Sequence, residues 1–323
     1  MPTSQKTRRV LITGASGTLG FNILQQLMEQ PNIHITAPIR TMRPALQKIA
    51  HRVEFIEHEL SDSIHTAQIF ERARPDVILH CAASGLRPPK GTWFDLMSFN
   101  VESTMRLFQM NCRFDHDSHF IYISTGLVYR PQGRPLVESD PIETLHPYGA
   151  SKAATDSMLQ AAAAEFGRSL TILRPFAFTG PHDGGGRLFP EILKAAAEKR
   201  VLPLTDGKQV RDFCSVQDIA RAAVLCVKRK PAQLIEKFNL GSGKQIPLRQ
   251  LIEQVLSELS LHADLDFGKI ARNPLEPAHL VADISHAHDI LNWEPRIPLA
   301  EAVWGLAQEI APQLHLSRPE SHA

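Results

Sequence analysis

Six short apolar runs punctuate the first half of the chain: RVLIT (9–13), IHITA (33–37), VEFI (53–56), DVILH (76–80), FIYIS (120–124) and LTILR (170–174). Apart from IHITA, none alternates cleanly between polar and apolar, as expected of strands covered on both faces. Segments of helix length separate them, and that order predicts an α/β fold with a doubly wound parallel sheet. After Gly180 the rhythm changes to Pro/Gly-rich loops with scattered helices, among them RLFPEILKAAAEK (187–199) and PLRQLIEQVLSEL (247–259). SVQDIARAAVLCV (215–227) and KFNLG (237–241) read as one further helix and strand. The expected organisation is a domain over 1–180, to which a segment near 210–241 returns, and a smaller α/β substrate domain over 181–323.

The first apolar run leads straight into Gly14-Ala15-Ser16-Gly17-Thr18-Leu19-Gly20, which opens the helical pattern TLGFNILQQLM. Glycines there permit a tight turn and close approach of backbone N–H groups to a pyrophosphate lying at the positive end of the helix. The position between strand and helix is the context such a motif requires. In dinucleotide-binding folds the second strand commonly ends in an acid that binds the adenosine ribose, whereas an arginine accommodates a 2′-phosphate. This chain has Arg40 and Arg43 and no acid in ITAPIRTMR. That favours NADP over NAD; the alternative is that Arg40 faces solvent and NAD is held by its pyrophosphate and adenine.

Lysine and arginine number 35 against 34 aspartates and glutamates, a formal charge of +1 that offers no broad basic face for nucleic acid. The four cysteines, Cys81, Cys112, Cys214 and Cys226, are far apart and form no C-x-x-C, so neither a disulfide framework nor a metal cage is signalled. No apolar run reaches the roughly 18–20 residues of a membrane helix. A cytoplasmic protein with a small-molecule partner is expected, with no nucleic-acid, membrane or metal partner.

Tyr148 and Lys152 in YGASK open another helical segment, as i and i+4 neighbours on one face. A lysine ammonium there would favour the phenolate and lower a tyrosine pKa of about 10. Such a tyrosine can exchange a proton with a carbinol or carbonyl oxygen while hydride moves at the adjacent carbon. The strand FIYIS ends in Ser124-Thr125, at the sheet edge where ligands of open α/β folds collect.

With these pieces together, the chain resembles the extended short-chain dehydrogenase/reductase superfamily, in its NAD(P)-dependent sugar-nucleotide epimerase/dehydratase branch, which has a Rossmann domain. The resemblance covers nearly the whole length. It rests on TGASGTLG, on HELSD with Glu59 where aspartate is usual, on VILHCAA, on NVEST with Asn100, on STGLVY and on HPYGASK. It implies that Tyr148 is the acid/base, that Lys152 tunes it and holds the nicotinamide ribose, and that Thr125 binds the substrate oxygen. Beside Tyr148 and Lys152, it implies cofactor contacts from Gly14, Ser16, Gly17, Thr18, Leu19, Gly20, Arg40, Glu59, Leu60, Ala82, Ala83, Asn100, Pro175 and Phe176. Substrate contacts are implied for Ser84, Thr125, Ala177, Arg211 and Arg272, and a homodimer built partly on the Tyr148 helix.

Departures from the family pattern bear on the reaction. RPFAFTGP carries Ala177 and Thr179 where the family often has asparagine and tyrosine, and DGKQVRDFCSVQDIA supplies Arg211, a planar donor fork suited to phosphate. The plainer reading pairs Arg211 with Asp212 or Asp218. His182, Asp183 and glycines 184–186 suggest a mobile substrate loop or an ordinary solvent loop, and the HAH at 286–288 a helix surface. Family dehydratases usually follow the threonine with an aspartate-glutamate pair; Gly126-Leu127 stands here, which disfavours dehydration. An epimerase or a 4-ketoreductase remains. The alternatives are an NADPH-dependent reductase of a non-nucleotide ketone and a non-catalytic NAD(P)-binding regulator.

Overall fold

The structure, a computed structural model, describes residues 7–58, 63–84, 93–114, 118–184 and 186–319. Each apolar run becomes a strand: β1 (Arg8–Thr13), β2 (Ile33–Ile39), β3 (Glu54–Glu57), β4 (Val77–His80), β5 (His119–Ile123) and β6 (Leu170–Pro175). A seventh strand, Ile235–Leu240, borders β6, so the sheet runs seventh strand, β6, β5, β4, β1, β2, β3. The register is parallel from β3 through to β6. Every residue of β4, β5 and β6 is buried, which is why their sequences show no polar face.

The chain leaves β1 toward β2 and β3, then returns to the other side of β1 as β4. That reversal is the topological switch point, where the carboxyl ends of adjacent strands diverge into a crevice. The turns after β1 and β4 therefore meet. Leu11, Ile78, Phe120, Tyr122 and Ile172 of the sheet share one core with Phe70, Phe108 and Leu159 from the helices Ser63–Ala73, Ser103–Arg113 and Pro147–Phe166.

Two compact units divide the chain. The first holds 1–128, 142–174 and 220–238; the second holds 129–141, 175–219 and 239–323. The second stretch of the first unit ends at Arg174, and residues 220–238, inside the segment near 210–241 expected to return, lie with that unit. Residues 129–141, expected in the first domain, belong to the second because their hydrogen bonds lie there. Leu136 donates its N–H to the Val281 carbonyl (2.9 Å) and accepts from Asp283 N–H (2.9 Å), and Tyr129 donates to Asn239 Oδ1 (2.7 Å).

The second unit is built on short strand pairs. Ala177–Thr179 runs parallel to Phe213–Ser215, and Leu202–Leu204 parallel to Leu265–Phe267. Val210–Arg211 lies between Ile246–Pro247 and His279–Leu280. Its core gathers Phe189, Ile192, Ile252, Val255, Val303 and Leu306 from the helices Leu188–Glu198, Leu248–Glu258 and Leu299–Ile310.

Candidate active site

Three glycines shape the turn after β1, each for its own reason. Gly14 has φ +70°, and a Cβ there would lie 2.5 Å from the Ala82 nitrogen. This residue keeps the β1 and β4 turns in backbone contact. The Gly17 N–H donates to the Gly14 carbonyl (3.0 Å), and a Cβ on Gly20 would lie 2.1 Å from that same oxygen. Helix Thr18–Met28 starts after Gly17, which has no side chain to cap it, and carries no acid in its first turn. Its leading amides form a positive end suited to a pyrophosphate. Ser16, Thr18, Leu19 and Gly20 all lie on this turn and first helical turn. The glycine cradle and these donors fit a dinucleotide.

Arg40 follows the last residue of β2 and is exposed, as is Arg43. Glu59 and Leu60 lie outside the described residues. Ala82, Ala83 and Ser84 follow β4. The Ser84 N–H donates to Asn100 Oδ1 (2.7 Å), and Asn100 Nδ2 donates to Ser151 Oγ (2.9 Å), whose hydroxyl donates to the Tyr148 carbonyl (2.8 Å). Asn100 is buried in a π-helical turn, Met97–Glu102, so this side chain ties the β4 turn to the first turn of the Tyr148 helix. Single π turns inside helices recur at functional sites.

Helix Pro147–Phe166 begins with proline at its first position and ends on Gly167 at φ +62°. The glycine inside YGASK has a structural reason: a Cβ on Gly149 would meet the Leu127 carbonyl oxygen at 2.5 Å. The helix start is thereby held against the Gly126–Val128 turn that follows Thr125. Thr125 is 9% exposed, and its Oγ1 accepts the Leu127 N–H (3.3 Å). Tyr148 is half-buried. Lys152 is buried, its Nζ 2.6 Å from the Ile123 carbonyl and 4.3 Å from the Tyr122 ring centroid. Desolvation lowers the Lys152 pKa to about 8, with the negative charge of Asp156 acting in the other direction. One turn along, Asp156 accepts from Arg174 Nε (3.0 Å), both side chains wholly buried.

In the second unit, Pro175 and Phe176 are buried, and Phe176 N–H donates to the Leu240 carbonyl (2.8 Å). Ala177 opens a short strand. Asp183, expected in a mobile or solvent loop, is instead buried: it accepts from Thr179 Oγ1 (2.8 Å) and from Arg187 Nη1 (2.8 Å), pinning the loop. Arg211 is buried at 7% exposure and donates to Glu276 Oε1 (2.7 Å), so its acidic partner is neither Asp212 nor Asp218. Asp212 accepts the N–H groups of Ser242, Gly243 and Ala282, and Asp218 those of Arg296 and Ile297. Arg272 is partly exposed, its Nε 3.9 Å from Asp206 Oδ1.

Three groups escaped the sequence reading: Asp156 with Arg174, the Arg211 partner Glu276, and His80 beneath the β4 turn. Asp156 alone carried a local signal, lying four residues after Lys152 on the same helix face.

A switch-point glycine turn joined through Asn100 to a tyrosine-lysine helix defines a dinucleotide-dependent oxidoreductase class of site. Residues 10–241 match the model of the NAD dependent epimerase/dehydratase family, and the chain belongs to that family. It is an enzyme of the sugar-nucleotide epimerase type. A UDP-glucose 4-epimerase of Streptomyces lividans is 29% identical over 313 residues, spanning 89% of this chain and 91% of its own. An uncharacterized UDP-glucose epimerase, YtcB, of Bacillus subtilis (strain 168) is 27% identical over 319 residues, covering 94% of this chain and 97% of its own. Among solved structures, the UDP-glucuronic acid 4-epimerase from Bacillus cereus, in complex with UDP-glucuronic acid and NAD, superposes with TM-score 0.84 at 26% identity, over 94% of this chain and 99% of that one. Among the described residues no helix is long and apolar enough to cross a membrane.

Proposed function

We propose that this enzyme epimerises a UDP-sugar at carbon 4, with Tyr148 moving the proton at the reacting oxygen. The observation that carries the reading is the buried Lys152 ammonium, fixed by the Ile123 carbonyl and the Tyr122 ring one helical turn from Tyr148. A cation held there favours the phenolate. Thr125, at the carboxyl end of β5, binds the substrate oxygen, and Asn100 keeps the Tyr148 turn and the β4 turn in register. Ser84 and Ala177 contact substrate. Arg211 and Arg272 hold the diphosphate, Arg211 exchanging its Glu276 contact for phosphate oxygens. The glycine turn at 14–20, Arg40, Glu59, Leu60, Ala82, Ala83, Pro175 and Phe176 hold the dinucleotide. When bound, the dinucleotide would supply a reversible hydride acceptor for the sugar carbon. The curated relatives named above are UDP-sugar epimerases, which supports this substrate class.

Exposed Arg40 and Arg43 in place of an acid favour acceptance of NADP(H) beside NAD, and with it a second reading, a 4-ketoreductase. A panel of UDP-sugars incubated with each cofactor separates the two. Isomerised product without net NAD(P)H consumption is the expected result, and stoichiometric consumption would make the enzyme a reductase.

The active form is a homodimer. Trp93, Phe94, Met97 and Met158 are 62%, 86%, 50% and 46% exposed, and the turns bearing the first three pack on the helix bearing the fourth. Large apolar side chains left exposed on elements that pack together suit an interface. Its four free cysteines suit a reducing cytoplasm.

A further inference from the structure

His80 ends β4 and is completely buried, yet neither ring nitrogen is idle. Nδ1 lies 2.7 Å from Thr13 Oγ1, and Nε2 lies 2.8 Å from Thr104 Oγ1. The Thr104 hydroxyl donates to the Asn100 carbonyl at 2.7 Å, and Thr13 Oγ1 accepts the Ala82 N–H at 3.4 Å. A hydroxyl has a single proton, so the protons along this line can be assigned. With Thr104 committed to Asn100, His80 Nε2 must carry a proton and donate to Thr104. Nδ1 is then an acceptor and takes the Thr13 hydroxyl proton. The opposite tautomer would make Thr13 Oγ1 accept from both His80 and Ala82, leaving a fully buried hydroxyl proton with no acceptor among the described residues.

The surroundings hold the ring neutral. Tyr122 stacks on it at 6.0 Å and 17°, and Phe120 lies at 6.2 Å. Burial and the nearby Lys152 charge lower its pKa to about 3. The line therefore runs in one direction, from Ala82 N–H through Thr13, His80 and Thr104 to the Asn100 carbonyl. That carbonyl sits in the π turn; Thr155 Oγ1 lies 2.9 Å from it and 2.8 Å from the Ser151 carbonyl and has one proton for the two, so the Thr104 hydroxyl is the side-chain donor committed to Asn100.

We infer that His80, in its neutral Nε2–H form, is a positioning residue for the hydride-transfer site, locking the Asn100 π turn to the cofactor-side turn at Ala82. This rests on the roles proposed for Asn100 and Tyr148. The fully buried imidazole acts by fixing which way the Thr104 hydroxyl points, and so where the Asn100 side chain meets Ser84 and Ser151.

Two measurements test it. Long-range 1H–15N correlation spectra of histidine-labelled wild-type protein report the ring directly: a protonated Nε2 and bare Nδ1 between pH 5.5 and 8 are expected, and an Nδ1–H ring or an imidazolium would overturn the inference. Thr104→Val removes the relay without touching the buried ring, and Thr104→Ser keeps the hydroxyl. Thr104→Val should lower kcat by about tenfold with the UDP-sugar KM little changed, as a displaced catalytic geometry does, while Thr104→Ser should stay within about threefold of wild type. Equal kcat for Thr104→Val and wild type, or equal impairment of both variants, would refute it. If wild type turned over no UDP-sugar, the proposed function would fall, while the ring spectra would still decide the tautomer.

Discussion

Replacing Asp156 with asparagine separates two roles that one buried carboxylate plays. Asp156 and Arg174 are wholly buried and 3.0 Å apart, so removing the negative charge strands a guanidinium in the core. Breaking a buried pair from one side costs about 3–5 kcal/mol. For a chain of 323 residues that corresponds to a fall in Tm of roughly 4–7 °C. The second role concerns Lys152, one turn away, whose proton Asp156 helps to hold. Taking about 6 Å between i,i+4 side chains and an effective dielectric near 20, the attraction is roughly 3 kcal/mol, or about two pH units. Solvent and neighbouring dipoles reduce this, so the alkaline limb of the kcat profile, set by the coupled Tyr148–Lys152 titration, should move down by about 1–2 pH units. The double variant D156L/R174M removes both charges and should recover most of the stability. It should not restore the alkaline limb, because the group that holds the Lys152 proton is still absent. The assay is thermal unfolding beside a pH–rate profile for wild type and both variants. An unmoved alkaline limb in D156N, or its full recovery in the double variant, would refute the argument.

Lys152 has a folded pKa of about 8 against an ordinary 10.5, so between those values the unfolded chain binds the proton more tightly and the contribution of Lys152 to stability rises with pH, by about 3 kcal/mol in all. Urea unfolding at pH 7.5 and 10, compared between wild type and Lys152→Met, should show that rise only in wild type. Gly14→Ala forces a Cβ to 2.5 Å from the Ala82 nitrogen at a φ of +70°. At a cost of about 1–3 kcal/mol for the backbone alone, it should weaken NAD binding by tenfold or more in fluorescence titration, and unaltered affinity would remove the glycine turn from the cofactor site. Glu276→Gln frees Arg211 from a partly exposed ion pair worth about 1 kcal/mol, so calorimetry should record UDP binding up to about fivefold tighter; weaker binding would mean that Glu276 orients the arginine instead. Phe94→Glu places a charge at the most exposed apolar side chain of the patch, and sedimentation should then give a monomer where wild type gives a dimer.

What the sequence revealed follows from how local each signal is. Strands such as DVILH and FIYIS are buried on both faces, so a continuous apolar run was enough to find them. The glycine turn was legible because φ and close approach at Gly14 admit no other residue. Excursions such as 129–141 were not, since the partners of Leu136 and Tyr129 lie more than a hundred residues downstream and leave no periodic trace. The π turn at Asn100 differs from an α-turn by one hydrogen-bond register, which MSFNVE does not signal. Arg211 was recognised as a phosphate-type donor, yet its partner Glu276 is 65 positions away, and nearby Asp212 and Asp218 drew the pairing instead. His80 looked like a strand residue because its chemistry depends on Thr13 and Thr104, which the chain brings together only when the sheet forms.

In the proposed reaction Tyr148 handles a proton while hydride leaves one carbon of a UDP-sugar and comes back to the same carbon. A UDP-sugar deuterated at carbon 4, turned over to its epimer and read by mass spectrometry and NMR, tests it most directly. Retention of deuterium at carbon 4 of the product, abolished together with turnover in Tyr148→Phe, is the result expected. Deuterium lost to solvent, or near-normal turnover by Tyr148→Phe, would contradict the account.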